Sequence, residues 1–285
     1  MLKSMTGYGK SVIQLPSKKI TVEIKSLNSK NLDINARIPS VYRVKELEIR
    51  KKIAQSLVRG KIDFNLFVEV TGEETSSTLN KAVVEKYMDE LEQIIAAEPV
   101  ELLKIAVRFP DTLKTQRDEL DETEYQQITK AIDEALTAIN NYRKDEGEMI
   151  ETEFLNRSKK LNQLLQEVSD IDPLRIKNVK ERLQKAISEL KEKLDQNRFE
   201  QELIYYIEKF DISEEKSRLA NHLDYFNKAV NSTDSNGKKL AFISQEIGRE
   251  INTIGSKANF APMQQLVVQM KDELEKIKEQ SLNVL

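Results

Sequence analysis

Residues 60–70, GKIDFNLFVEV, decide the fold class of this chain. Ile62, Phe64, Leu66, Val68 and Val70 recur at every second position, the period of a strand with one face against a core. A helix would need apolar steps of three and four. The same rhythm runs backward through Leu32, Ile34, Ala36 and Ile38, and through Ile20, Val22 and Ile24. Between these strands, Val44, Leu47, Ile53 and Leu57 predict a helix ending near Arg59–Gly60, with Gly60 as its C-cap. The first 72 residues therefore read as an α+β unit with a mostly antiparallel sheet.

Beyond that sheet the chain turns helical. Residues 72–78 form a polar connector, and Asn80 suits the N-cap of the next helix. A long helix is expected from about Thr123 toward Val168. Gly147 inside it costs about 1 kcal/mol against alanine, which marks close packing or a bend. Asp170-Ile171-Asp172-Pro173 reads as a stop and restart, since proline suits the first turn of a new helix. Two long helices joined there would pack as an antiparallel hairpin. The expected organisation is an amino-terminal α+β domain over 1–122, a helical hairpin over 123–210 and a carboxy-terminal helical region over 211–285.

Composition narrows the chemistry. The 285 residues include no cysteine, which excludes disulfides, thiolate zinc sites and cysteine nucleophiles. Any metal would need oxygen or imidazole ligands. Forty-five basic against 48 acidic residues leave a formal charge of −3, so bulk charge cannot hold a polyanion and any RNA contact needs a local patch. No run approaches the ~18–20 apolar residues of a membrane span, and a cytoplasmic protein is expected. Residues 4–11, SMTGYGKS, imitate a phosphate-binding loop, but Ser4 stands in place of the first glycine and the chain is too short there for a preceding strand.

The carboxy-terminal fifth carries the polar constellations. In GKKLAFISQEIGREINTIGSKAN (237–259), Leu240, Ile243, Ile247, Ile251 and Ile254 form a buried helix stripe. Gln245, Glu246, Arg249 and Glu250 share the other face, and Asn252, Thr253, Ser256 and Lys257 come next around Gly255, where the helix is expected to break or cap. Spacing alone fits a solvated ion-pair ladder. Upstream, Asp211, Glu215, Arg218 and His222 step by four, three and four along one row, and Asp211 with Glu214 fits a capping box. His222 is the only histidine. An imidazole can serve as general acid, general base or metal ligand, whereas a lone surface histidine is usually idle. Downstream, Met263, Val267, Met270, Leu274, Ile277, Ser281 and Val284 take heptad-like steps, which a subunit interface and burial within one protomer explain equally well.

Taken together, QEIGREINTIGSKAN (245–259), RLANHL (218–223), MKDELEKIKEQSLN (270–283), SMTGYGK (4–10), VEIKSLNSKNLDI (22–34) and LVRGKIDF (57–64) resemble the YicC/YloC family of bacterial endoribonucleases over nearly the whole chain. The resemblance includes an Asp-x-x-Glu-Glu-x-x-Arg-Leu-x-x-His run, matched by Asp211, Glu214, Glu215, Arg218, Leu219 and His222. An Arg-x-x-Glu-Gly element is matched by Arg143, Glu146 and Gly147. Gly248 and Lys278 depart from it, standing where the family commonly has asparagine and arginine. In this reading residues 4–11 are the first strand, with Gly7 and Gly9 serving a bulge.

The resemblance implies metal-assisted RNA cleavage inside a hexamer that encloses its substrate. RNA cleavage needs proton transfer and positive charge at the phosphate. His222, Glu246, Glu250 and Arg218 are the catalytic candidates, and Arg249, Lys257, Asn252 and Ser256 the RNA contacts. Glu215, Glu246 and Glu250 are candidate ligands for a divalent cation, magnesium or manganese. The helices at 211–226 and 240–254 are then expected to face each other. A non-catalytic RNA-binding or helical adaptor protein is the alternative.

Overall fold

The computed structural model describes residues 2–71, 77–115, 121–189, 196–232 and 237–285, and most of the connector read at 72–78 lies outside them. Strands β1 (Gly7–Gln14), β2 (Lys18–Leu27) and β3 (Leu32–Arg37) are followed by a 3-10 turn, Ser40–Lys45, helix α1 (Glu46–Leu57) and strand β4 (Gly60–Val70). A two-stranded pair, β5 (Ser77–Leu79) with β6 (Leu113–Thr115), brackets α2 (Lys81–Ile94) and α3 (Pro99–Ala106). Five helices complete the chain: α4 (Glu122–Glu189), α5 (Gln196–Lys209), α6 (Ser213–Val230), α7 (Gly237–Lys257) and α8 (Ala261–Ser281).

The α+β reading holds. The sheet order is β1-β2-β4-β3, antiparallel except for the parallel pair β3/β4. That exception comes from connectivity: a tight turn cannot return a chain parallel to itself, so α1 serves as the crossover. Ile20, Val22, Ile24, Ile62, Phe64 and Leu66 line the inner face, packed with Ile49, Ile53 and Leu57 of α1 and Ile128 to Ile139 of α4. Val44 and Leu47, expected on α1's buried side, are instead exposed. Gly60 belongs to β4 rather than capping α1. Val58 takes the positive φ of 54° at that helix end.

Gly7 and Gly9 make no bulge, because β1 pairs with β2 residue for residue from Gly7↔Ser26 to Gln14↔Lys19. Their role is close approach. A Cβ on Gly9 would stand 2.1 Å from the Ala135 carbonyl oxygen, so α4 lies directly on the strand backbone. Gly147 does the same one turn beyond Arg143, where a Cβ would meet the Leu2 carbonyl oxygen at 2.1 Å.

Arg143 is 1% exposed and has carbonyl rather than carboxylate partners. It donates to the carbonyls of Met5 (3.0 Å), Leu57 (3.3 Å) and Arg59 (3.3 Å) and to the Ser26 hydroxyl. Burial pushes its pKa down to about 10, which leaves it charged at neutral pH. Glu146 accepts the Thr6 hydroxyl at 2.7 Å. The Arg143-Glu146-Gly147 element thus fastens the amino-terminal segment to α4.

The hairpin expected at 170–173 does not form. Pro173 lies inside α4, which runs as one helix to Glu189. An interior proline forfeits a backbone hydrogen bond and costs about 3 kcal/mol. Here Asp172, itself buried, bonds Arg175 at 2.7 Å and Lys216 of α6 at 2.8 Å, and Val168 is buried one turn earlier. Those contacts hold the helix together through the break signal.

The second half of α4 joins α6, α7 and α8 in a four-helix bundle with each neighbour antiparallel. Phe154 meets Phe226 at 5.5 Å between rings, Arg157 meets Glu273 at 2.9 Å, and Gly255 faces Val267. The α8 stripe from Met263 to Val284 is buried inside this bundle, so it is not free for a partner subunit. The chain ends interlock beside it: Met5 N–H donates to the Asn283 carbonyl at 2.8 Å and Leu285 N–H to the Lys3 carbonyl at 2.9 Å. No helix among the described residues is long and apolar enough to cross a membrane.

Candidate active site

Helices α6 and α7 face each other, and two lysine contacts bracket their register. Near the start of α6, Lys257 Nζ lies 2.7 Å from Glu215 Oε1 and 2.9 Å from the Asp211 carbonyl oxygen. Near its end, Lys239 Nζ lies 4.9 Å from the centre of the Tyr225 ring. His222 is seven residues beyond Glu215, and Glu250 is seven before Lys257. At about 1.5 Å per residue each is about 10 Å along its helix from the Glu215–Lys257 contact. Counted from Lys257–Glu215, His222 comes level with Glu250; counted from Lys239–Tyr225, it comes level with Phe242, so the antiparallel pair sets His222 opposite the stretch from Phe242 to Glu250, with Glu246 at its middle.

Local sequence explains why α6 starts where it does. The Ser213 N–H and hydroxyl donate to Asp211 Oδ1 at 3.0 and 2.7 Å, which holds the Asp211 carboxyl below its usual range. The capping box is only half made, because Glu214 pairs with Arg218 at 2.5 Å instead of reaching back. In α7 the helix does not break at Gly255 but continues to Lys257, with Gly255 close against Val267 of α8. Gly248 also faces α8, where a Cβ would lie 3.1 Å from Leu274 and 3.6 Å from the Lys278 amine.

Glu250 joins no ion-pair ladder. It is 4% exposed and has no hydrogen-bond or ion-pair partner among the described residues. His222 is half-buried at the same seam. Glu246, one turn earlier, is partly exposed and stands 4.0 Å from Arg249, whose side chain is open to solvent. Arg218 and Asn252 are exposed as well, and Ser256 donates to the Thr253 carbonyl at 3.0 Å. Lys257, read as an RNA contact, is instead committed to the buried Glu215, whose second oxygen Oε2 has no partner.

The expected ligand trio does not assemble. Glu215 is neutralised by Lys257. No group of three or more Asp, Glu or His side chains able to hold a metal comes together among the described residues. Two carboxylates one turn apart, Glu246 and Glu250, remain. Magnesium and manganese are held by one or two carboxylates when phosphate oxygens and water complete the shell, so that pair fits such an ion and Glu215 does not.

A groove of about 550 Å³ lies elsewhere, between α4 and α8, lined by Met149, Thr152, Glu153, Asn156, Arg157 and Glu273. Its Arg157 is tied to Glu153 and Glu273 at 2.5 and 2.9 Å. Those charges are satisfied by each other.

A helical seam that sets an imidazole opposite a run carrying two carboxylates, in a chain without thiols, has the groups of an acid–base enzyme. Sequence comparison specifies the class. The family model described as endoribonuclease YicC-like, N-terminal region, matches residues 2–152, and that described as endoribonuclease YicC-like, C-terminal, matches residues 168–285. The chain belongs to the YicC-like endoribonuclease family. It is 30% identical over 293 residues to a protein of Clostridioides difficile (strain 630) named probable endoribonuclease YicC, covering all of both chains. It is 29% identical over 287 residues to the protein of the same name from Haemophilus influenzae, again covering all of both.

Proposed function

We propose that this chain is an endoribonuclease that cuts RNA phosphodiester bonds at the α6/α7 seam. The observation that carries the reading is that α6 and α7 set the only histidine, His222, opposite the stretch that holds Glu246 and Glu250. Glu250 bonds no other side chain among the described residues and its oxygens keep contact with solvent, which leaves the carboxylate available to a substrate or a cation. His222 moves the proton, taking it from the attacking oxygen or giving it to the leaving 5′-oxygen. Glu250, which bonds no side chain among the described residues, is free to accept a proton or hold a cation at the seam. Arg218 and Arg249 face solvent and supply positive charge to the phosphate, while Asn252 and Ser256 contact the flanking chain.

A divalent cation held by Glu246 and Glu250 would neutralise phosphate charge as the bond breaks. The protein works in the cytoplasm as a homo-oligomer, a hexamer by family resemblance. Shared fields from several copies suit a nearly neutral protomer. The exposed Ile204 and Tyr205 on α5 give such an assembly apolar surface to cover.

Purified protein is expected to cut a hairpin RNA, and EDTA to lower the rate at least tenfold, with restoration by magnesium or manganese. RNA bound but never cut would defeat the enzymatic reading and favour the adaptor. End-group analysis of the products identifies the nucleophile, because a 2′,3′-cyclic phosphate requires attack by the 2′-hydroxyl. Light scattering on the same sample should give the mass of six 32.9 kDa protomers; a monomeric mass would remove the assembly from the proposal.

A further inference from the structure

Two aromatic rings stand in the open beside the seam. Tyr225 is 48% exposed and Phe242 62%. Tyr225 lies three residues past His222 on α6, and Phe242 lies four before Glu246 on α7, spacings that place each ring beside a residue of the candidate site. Lys239 connects them. It is three residues from Phe242 on the same helix, and its amine rests 4.9 Å from the Tyr225 ring. Lys238 beside it is also exposed.

A flat ring on each of two helices, with ammonium groups next to them, matches a ligand that alternates flat bases with phosphates. Unpaired nucleic acid has that chemistry: base stacking on aromatic side chains is tolerant of sequence, and lysine tracks the backbone. A duplex offers no free base faces. Resting on the endoribonuclease reading above, we infer that Tyr225, Phe242 and Lys239 form a stacking subsite for unpaired bases flanking the scissile phosphate. The subsite directs the cut to single-stranded stretches of RNA.

The chain contains no tryptophan, so single Tyr225→Trp and Phe242→Trp variants each carry a lone reporter. Their fluorescence should be quenched on titration with oligoadenylate and unchanged with the same strand annealed to oligouridylate. A Tyr142→Trp variant, placing the reporter at an exposed position on α4, should not respond to either. Phe242→Ala should raise KM for single-stranded RNA roughly tenfold with kcat unchanged. Oligoadenylate binding without quenching at either ring overturns the subsite and leaves the endoribonuclease reading standing, as does equal quenching by the duplex. Absence of any RNA cleavage by the wild-type protein overturns that reading itself.

Discussion

Glu250→Gln is expected to slow RNA cleavage by roughly 10²–10⁴-fold, the usual worth of a group in proton transfer, while leaving the melting temperature nearly unchanged. The two halves of this expectation have one cause. Glu250 is buried in the α6/α7 seam with no partner among the described residues. Its oxygens keep contact with solvent and bond no side chain among those residues, so the nearly isosteric amide removes charge from the site without removing a contact from the fold. A structural residue would show the opposite pattern, with stability falling and activity falling with it. Cleavage of a hairpin RNA and thermal unfolding, measured on the same preparation, decide the matter. Wild-type cleavage by the variant would remove Glu250 from the mechanism, and a lower melting temperature would mean that its charge is satisfied in the fold. His222→Gln should match the loss of activity, because removing either member of an acid–base set disables the same step.

The second large effect is on stability. Gly9→Ala is expected to cost roughly 3–5 kcal/mol, lowering the melting temperature on the order of 10 °C. The added methyl would sit 2.1 Å from the Ala135 carbonyl oxygen and 2.9 Å from the Ile139 nitrogen. Both are backbone atoms inside a helix, so neither can rotate away, and β1 must lift off α4. Gly7→Ala should cost less, since its nearest obstacle is the Ile139 side chain at 2.8 Å, which can change rotamer. Equal melting temperatures for the two variants would show that the strand and helix are less closely apposed than these contacts require.

What a residue's identity reveals depends on the range of the interactions it makes. The alternation through Ile62, Phe64 and Leu66 and the stripe from Leu240 to Ile254 each report one element's own burial, and both appear in the fold as read. Arg143 and Gly147 are visible as unusual residues within a helix, but their partners, Met5, Leu57 and Leu2, lie far away in the chain. Pro173 misleads for a related reason. As a local signal it ends a helix, and only Lys216, brought by α6 to Asp172, shows why the helix carries on.

The candidate site divides in the same way. His222, Glu246 and Arg249 are recognisable from residue type and helical spacing, which depend on nothing outside their own helices. Spacing cannot distinguish Glu250 from its neighbours, since position along a helix says nothing about what covers that position. Nor can it remove Lys257 and Glu215 from the expected RNA and metal roles, because each neutralises the other across two helices.

By itself the sequence determined the α+β class, the helical carboxy-terminal region and the absence of thiol chemistry, all of which depend on local periodicity and residue identity. The tertiary structure alone decided that α4 serves two cores, that the α8 stripe is buried inside the bundle, and that Glu250 stands in the α6/α7 seam without an ion-pair partner among the described residues. Burial, register and charge pairing between helices are properties of elements packed together, and no single element encodes them.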